Sequence, residues 1–319
     1  MLDPQARKFM QLMADQGVQP MHTLTAPKAR AAYLQRRALS QPEGETVAHT
    51  HDHVLEHSGI SIAVREYRPL GFQANAALPA LLFFHGGGWT VGDMDTHDAV
   101  CRSLCNASGG AVFSVDYRLG PEAPFPAAYE DALAAFSWLV AQAGTLHIDT
   151  ARITVGGDSA GGNIAAALCL GLRDTSASSD HGIRPAFQLL IYPAVTMRPN
   201  TDSYQRNGQG YMLTQDSMRW YTANYLSEDS HADDWRASPL LATSHANLPA
   251  ALVITAGFDP LRDEGLQYAN ALSQAGVQTQ YVCFERQIHG FITMGRVIDE
   301  AHTALALCGL VLKRHWSGV

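Results

Sequence analysis

Lysine is scarce in this chain of 319 residues, which holds only Lys8, Lys28 and Lys313. The 22 Lys plus Arg stand against 30 Asp plus Glu, a formal net charge of −8, and no run of basic residues interrupts that balance. A phosphate backbone is held by clustered cations that release its counterions, so nucleic acid is excluded as a partner. Long apolar runs are missing too. The strongest, Leu81 to Phe84 with its neighbours, falls far short of the roughly 18 to 20 residues of a membrane-spanning helix. The amino terminus, from Met1 to Gln11, breaks its apolar residues with charges and amides every few positions and so lacks the core of a secretory signal. Five cysteines (Cys101, Cys105, Cys169, Cys283, Cys308) are an odd number, widely spread and without Cys-x-x-Cys spacing. That excludes a disulfide scaffold or zinc ribbon and is expected of buried free thiols in the reducing cytoplasm.

What is present is an ordinary globular composition, 46% hydrophobic and 16% charged. The length suits either two domains or one large core with an added piece. From residue 80 onward short apolar runs recur at Leu81 to Phe84, Ala111 to Val115, Ile153 to Gly156, Phe187 to Tyr192, Ala251 to Thr255 and Gln280 to Phe284. They read as buried parallel strands. Helical stripes lie between most of them, as in Tyr129 to Ala143 and Asn163 to Leu172, and strand alternating with helix predicts an α/β fold with a doubly wound sheet. Upstream, Val47 to Leu55 and Ile60 to Tyr67 alternate around His57-Ser58-Gly59, an antiparallel hairpin leading into that sheet.

Two segments break the alternation: residues 1 to 45, and about 196 to 238, rich in Asn, Asp, Tyr and Trp. They are expected to form one added layer. In the second, Thr214 is placed to cap a helix bearing Met218, Tyr221, Thr222 and Tyr225 on one face, which needs a partner surface or a substrate. The low-complexity patch Asp174 to Asp180 reads as an exposed loop.

Chemistry is concentrated at two glycine-rich turns. In Ile153-Thr-Val-Gly-Gly-Asp-Ser-Ala-Gly-Gly162 a strand runs directly into Gly157-Asp158-Ser159-Ala160-Gly161 and then into an Ala-rich helix, the strand–turn–helix setting of a nucleophile elbow. Small neighbours are needed there because a larger side chain would collide with the adjacent strand or helix. The Ala160 amide, at the helix N-terminus, is placed to face an oxyanion. The lysine of a phosphate-binding Gly-x-x-x-x-Gly-Lys loop is absent. The second turn, His85-Gly86-Gly87-Gly88-Trp89, spends three successive glycines, which a tight turn alone does not need. Backbone donors that must approach a reacting oxygen to about 2.7 to 3.1 Å do need them.

A serine hydroxyl requires a base and an orienting carboxylate, which in this architecture follow it in the chain. Asp259 and His289 lie just beyond the carboxyl ends of successive predicted strands, the edge where open α/β sheets bind ligands. Asp263 and Glu264 come later and read as charges in the first turn of a helix.

These motifs, with Asp116-Tyr-Arg-Leu-Gly-Pro-Glu-Ala-Pro-Phe-Pro-Ala-Ala-Tyr-Glu-Asp131, Asp259-Pro-Leu-Arg-Asp-Glu264 and His289-Gly-Phe291, appear in order from about residue 45 to the end. The chain thereby resembles the hormone-sensitive-lipase-like (family IV) bacterial esterases, in their Gly-Asp-Ser-Ala-Gly branch of the α/β-hydrolase superfamily. The resemblance implies a mostly parallel eight-stranded sheet flanked by helices, with residues 46–195 and 239–319 as catalytic domain and residues 1–45 and about 196–238 as a helical cap. It implies a serine carboxylesterase acting on a small-molecule ester of short to medium chain, often as a homodimer. Carried over residue by residue, it makes Ser159 the nucleophile, His289 the base and Asp259 its partner, with the amides of Gly87, Gly88 and Ala160 as oxyanion hole. This chemistry calls for no metal and no organic cofactor.

The same residues leave the leaving group open, so an amidase, thioesterase or lactonase shares this pattern. A small-molecule binding protein on a hydrolase scaffold would be expected to have lost the triad residues that are present here. A metal hydrolase would have to use His49, His51, His53 and His57 with Asp52, in the outer hairpin, where alternate histidines more often decorate a solvated edge. Cys101 and Cys105 are expected in the core. Trp89, Phe291 and Tyr192 could serve pocket or core, Met212, Met218, Trp220 and Tyr221 are placed by chain position on the cap side of a pocket, and Glu122 is a candidate brace for the oxyanion loop.

Overall fold

The computed structural model describes residues 1–73, 76–175 and 182–318, so the loop expected at Asp174 to Asp180 lies, from residue 176, outside the described residues. Two helices come first, α1 (Pro4–Asp15) and α2 (Ala26–Ser40). The hairpin follows as β1 (His49–His57) and β2 (Ile60–Arg68), joined through Ser58 and Gly59, both at positive φ, the backbone of a tight two-residue turn. Then come β3 (Leu78–Phe84), α3 (Asp98–Ser108), β4 (Ala111–Asp116), α4 (Ala127–Ala141), β5 (Ile148–Asp158), α5 (Ala160–Thr175) and β6 (Phe187–Ile191). The chain leaves the alternation for α6 (Asp202–Asn207) and α7 (Gln215–Tyr225) and returns through β7 (Ala250–Phe258), α8 (Arg262–Gln274), β8 (Thr279–Ile288) and α9 (Glu300–Ser317).

The strands form one eight-stranded sheet in the order β1-β2-β4-β3-β5-β6-β7-β8, antiparallel at β1/β2 and β2/β4 and parallel elsewhere. Side chains alternate between its faces as a pleated strand requires. Leu81 and Phe83 of β3, with Leu189 of β6 and Leu252 and Ile254 of β7, pack under α3 and α9 with Leu104, Leu305 and Trp316. Leu82, Phe84, Val155, Leu190 and Val253 pack on the other face against Phe136 of α4, Ile164 and Leu168 of α5 and Tyr268 of α8. Burial on both faces explains why the central strands are continuous apolar runs. Cys101 and Cys105 belong to this core, fully buried.

The two segments outside the alternation share one neighbourhood. Asp3 caps α1 by accepting from the Gln5 and Ala6 amides, and its own amide donates to the Arg286 carbonyl of β8, while Phe9 and Met13 enter the α9 side of the core. α2 is tied down by Arg30, which donates to the carbonyls of Thr90 and Gly120 and pairs with both oxygens of Glu122. That supplies the partner of Glu122, and the carbonyl at Thr90 places the tie two residues after the triple glycine. Thr214 caps α7 by accepting from the Ser217 amide.

Candidate active site

Ser159 sits between the last residue of β5 and the first of α5 with φ 56°, a left-handed backbone that only a tightly constrained turn imposes on serine. The glycines beside it leave no alternative. A Cβ on Gly157 would stand 2.3 Å from the Phe84 carbonyl oxygen and 2.5 Å from Gly161 C, and one on Gly161 would stand 1.8 Å from that same oxygen. The elbow is therefore wedged against the neighbouring strand, which turns Ser159 outward at the carboxyl edge of the sheet.

The residues expected after the elbow converge on it. His289, the first residue past β8, places Nε2 2.9 Å from Ser159 Oγ and Nδ1 2.7 Å from Asp259 Oδ2. Asp259, the first residue past β7, is fully buried, and its other oxygen accepts the Leu261 amide at 2.8 Å. The insertion holds this loop from outside, with Asn207 of α6 donating to the carbonyls of Gly257 and Asp259 and Ser203 donating to the carbonyl of Pro260. Tyr192, wholly buried, packs its ring 4.6 Å from that of His289.

Gly87 and Gly88 take φ 128° and 58°, and among the described residues no protein group accepts from their amides or from that of Ala160. A Cβ on Gly87 would lie 1.9 Å from the Val91 carbonyl oxygen, and one on Gly88 would lie 2.3 Å from the Tyr221 ring. The predicted face of α7 thus finds its surface on this loop, since Tyr221 covers Gly88 and Tyr225 stacks on Trp89 at 4.4 Å. Together with Ser159 and His289 these elements wall a cavity of about 870 Å³, lined also by α1, α2, α7 and the connection between α6 and α7.

Residue chemistry alone did not reveal the layer beneath the loop. Asp158, nearly buried, accepts the Gly86 amide at 2.8 Å through Oδ1, and His97 Nε2 stands 3.2 Å from that oxygen, as an electrostatic contact rather than an aligned hydrogen bond. Burial raises the Asp158 pKa, but the attraction of His97 and the Gly86 amide outweigh it and hold the carboxyl below the ordinary carboxylate range. His85, also fully buried, has its pKa pushed down to about 4 by desolvation and by His97, so it is a neutral ring. It stacks on Tyr117 at 4.3 Å, whose hydroxyl donates to the His85 carbonyl. The signal available beforehand was one ionisable residue at each glycine turn, Asp158 beside Ser159 and His85 beside Gly86, but not their contact.

Glu264 corrects the sequence reading. It lies in the first turn of α8 as expected, yet it is no solvated charge at a helix end: it is fully buried, accepts the Val195 amide at 2.8 Å, and desolvation raises its pKa to about 8. The carboxyl is neutral near pH 7. Asp263 lies in the same first turn and accepts the Ser203 amide. Phe291 belongs to the core, against Tyr192 and Phe284, while Trp89 reaches the cavity wall. Met212, Met218 and Tyr221 line that wall, but Trp220 turns aside onto the small cluster around Met21, Ala29 and Val91. In the hairpin, His53 Nε2 pairs with Glu66 at 2.6 Å and Asp52 binds Arg65, and among the described residues no group of three His, Cys, Asp or Glu side chains is placed to hold a metal.

A family model described as the alpha/beta hydrolase fold matches residues 81–293. The chain belongs to the hormone-sensitive-lipase-like carboxylic ester hydrolases of this fold. It is 37% identical over 319 residues to the ethyl acetate hydrolase of Pseudomonas putida, covering 98% of this chain and 99% of that one. It is 46% identical over 239 residues to the carboxylic ester hydrolase LipN of Mycobacterium tuberculosis, a match that takes in 73% of this chain and 61% of the longer relative. Among solved structures, an ester hydrolase from the metagenome of Lake Arreo, in complex with a bipyridine phosphonate derivative, superposes with a TM-score of 0.94 at 40% identity, covering 99% of this chain and 100% of that one. No helix among the described residues is long and apolar enough to cross a membrane.

Proposed function

We propose that this carboxylic ester hydrolase is a serine esterase acting on short- to medium-chain esters through an acyl-enzyme, with Ser159 as nucleophile, His289 as base and Asp259 as its partner. The observation that carries the reading is the unbroken chain Ser159 Oγ to His289 Nε2 at 2.9 Å and His289 Nδ1 to Asp259 Oδ2 at 2.7 Å, at the foot of a cavity. Asp259 accepts from Nδ1–H, which leaves Nε2 as the acceptor facing the serine. As Ser159 Oγ bonds to the ester carbonyl carbon, its proton passes to Nε2, and the same proton goes to the departing alcohol. Water then attacks the acyl-enzyme and gives a proton to His289, and as the bond between Ser159 Oγ and the acyl carbon breaks, that proton returns to Oγ and the acid leaves. The amides of Gly87, Gly88 and Ala160 form the oxyanion hole, where donors already fixed in place stabilise the charge that develops on the carbonyl oxygen.

Residues 1–45 and about 196–238 act as the cap over a catalytic domain of residues 46–195 and 239–319, and the enzyme is a cytoplasmic homodimer whose five cysteines stay as free thiols. The name of the Pseudomonas putida relative, an ethyl acetate hydrolase, supports the short end of the substrate range. The test is hydrolysis of p-nitrophenyl esters from acetate to palmitate by wild type and Ser159→Ala side by side. Activity peaking at short or medium chains and lost in the variant is the expected result. Turnover retained by Ser159→Ala overturns the triad, and hydrolysis of anilides but no esters transfers the reading to an amidase.

A further inference from the structure

The chain has nine methionines. Seven of them, Met10, Met13, Met21, Met197, Met212, Met218 and Met294, line the cavity above Ser159, whereas leucine supplies only Leu213, Leu226 and Leu261. They come from separate parts of the chain: two from α1, one from the turn before α2, one from the segment between β6 and α6, two from the α6–α7 connection and α7, and one from the stretch after His289. Methionine is therefore concentrated where substrate would lie and nearly absent from the rest of the molecule. The Ser159 triad uses none of these side chains.

Methionine is unbranched, has three rotatable side-chain bonds and carries a polarizable sulfur, so it fills irregular gaps by changing rotamer at little cost. A leucine or isoleucine wall has fixed shape and discriminates by it, whereas a wall of methionines re-packs around what enters. We propose that this methionine wall is the specificity device of the enzyme: it accepts neutral, apolar esters of widely different shape, straight, branched and aromatic, with similar efficiency. The proposal rests on the esterase reading of the same site.

Two experiments separate the two readings. The first measures kcat/KM for the p-nitrophenyl esters of butyrate, octanoate, pivalate and benzoate with wild type and with Met13→Leu/Met212→Leu/Met218→Leu, a volume-conserving change. Wild type is expected to keep the four within about tenfold, and the triple variant to widen that spread by about tenfold or more, the discrimination a shaped apolar pocket achieves. An equal spread in both proteins overturns the methionine proposal while leaving the esterase intact. No hydrolysis of any of the four by wild type removes the esterase reading itself.

The second experiment needs no variant. Wild type labelled with carbon-13 at the methionine methyls is phosphonylated by p-nitrophenyl phosphonates carrying either a linear octyl or a phenyl group. The Ser159 Oγ–P bond forms as p-nitrophenolate departs, and the serine proton leaves through His289. Methyl signals of the seven wall residues are expected to move, to different positions for the two groups, while Met1 and Met94 stay fixed as controls. Identical spectra for the two adducts overturn the proposal.

Discussion

The Asp158 carboxylate and the Gly86 amide meet at 2.8 Å across 72 residues of sequence, and that bond fastens the nucleophile elbow to the loop that begins Gly86-Gly87-Gly88. Asp158 immediately precedes Ser159, so one residue holds both halves of the site in register. Its second oxygen lies 3.4 Å from the Tyr192 hydroxyl, and Tyr192 packs on His289. Removing the carboxylate would let the loop amides drift, and an oxyanion donor displaced by a fraction of an ångström loses most of its effect. Asp158→Ala is expected to lower kcat by about 10²-fold with KM nearly constant, the size of losing one oxyanion donor. Asp158→Asn keeps an acceptor for Gly86 and should recover part of that loss. Steady-state kinetics of the two variants decide it, and a rise in KM with kcat unchanged would show that Asp158 serves binding instead.

The glycines of the two turns are expected to differ in how their substitutions can be repaired. A Cβ on Gly88 meets a side chain, the Tyr221 ring at 2.3 Å, whereas a Cβ on Gly161 meets backbone, the Phe84 carbonyl oxygen at 1.8 Å. Gly88→Ala should fold but lose about 10²-fold in kcat/KM as the loop shifts, and adding Tyr221→Ala should restore part of it. Some loss will persist because alanine at φ 58° is strained. Gly161→Ala has no side chain to trim and is expected to yield little soluble protein. Equal rescue of both by second-site truncation would contradict the packing described.

Much of this site was legible because its chemistry lies at strand ends. Ser159, Asp259 and His289 come three to five residues after the apolar runs that end at Gly156, Thr255 and Phe284, and each stands one residue past the carboxyl end of β5, β7 or β8, so strand ends read from the sequence put them on one edge. The α7 face was legible as well, since Thr214 caps it and Tyr221 and Tyr225 repeat at helical spacing. What stayed hidden depends on contacts between distant segments. Nothing in the order of residues says that His97, far from Ser159, faces Asp158, or that Arg30 reaches Glu122. Glu264 was misread for a related reason: a carboxylate in a first helical turn is usually solvated, and only the packing of α8 against the segment that follows β6, where the Val195 amide donates to it, buries it.

Glu264 also makes stability depend on pH in a direction opposite to most carboxylates. Its folded pKa, raised by burial to about 8, lies above its ordinary value of 4.5. Between those values the unfolded chain has released the proton and the folded protein still holds it. The folded state therefore binds more protons, and unfolding free energy falls as pH rises across that window, levelling off above the folded pKa. In Glu264→Gln the amide oxygen still accepts the Val195 N–H and no proton is involved. Urea denaturation at pH 5 and pH 8 should show the variant gaining on wild type by a few kcal/mol at the higher pH. A difference between the two proteins that is the same at both pH values would mean that Glu264 is ionised in the folded enzyme, and that its buried carboxylate has a partner supplied by solvent.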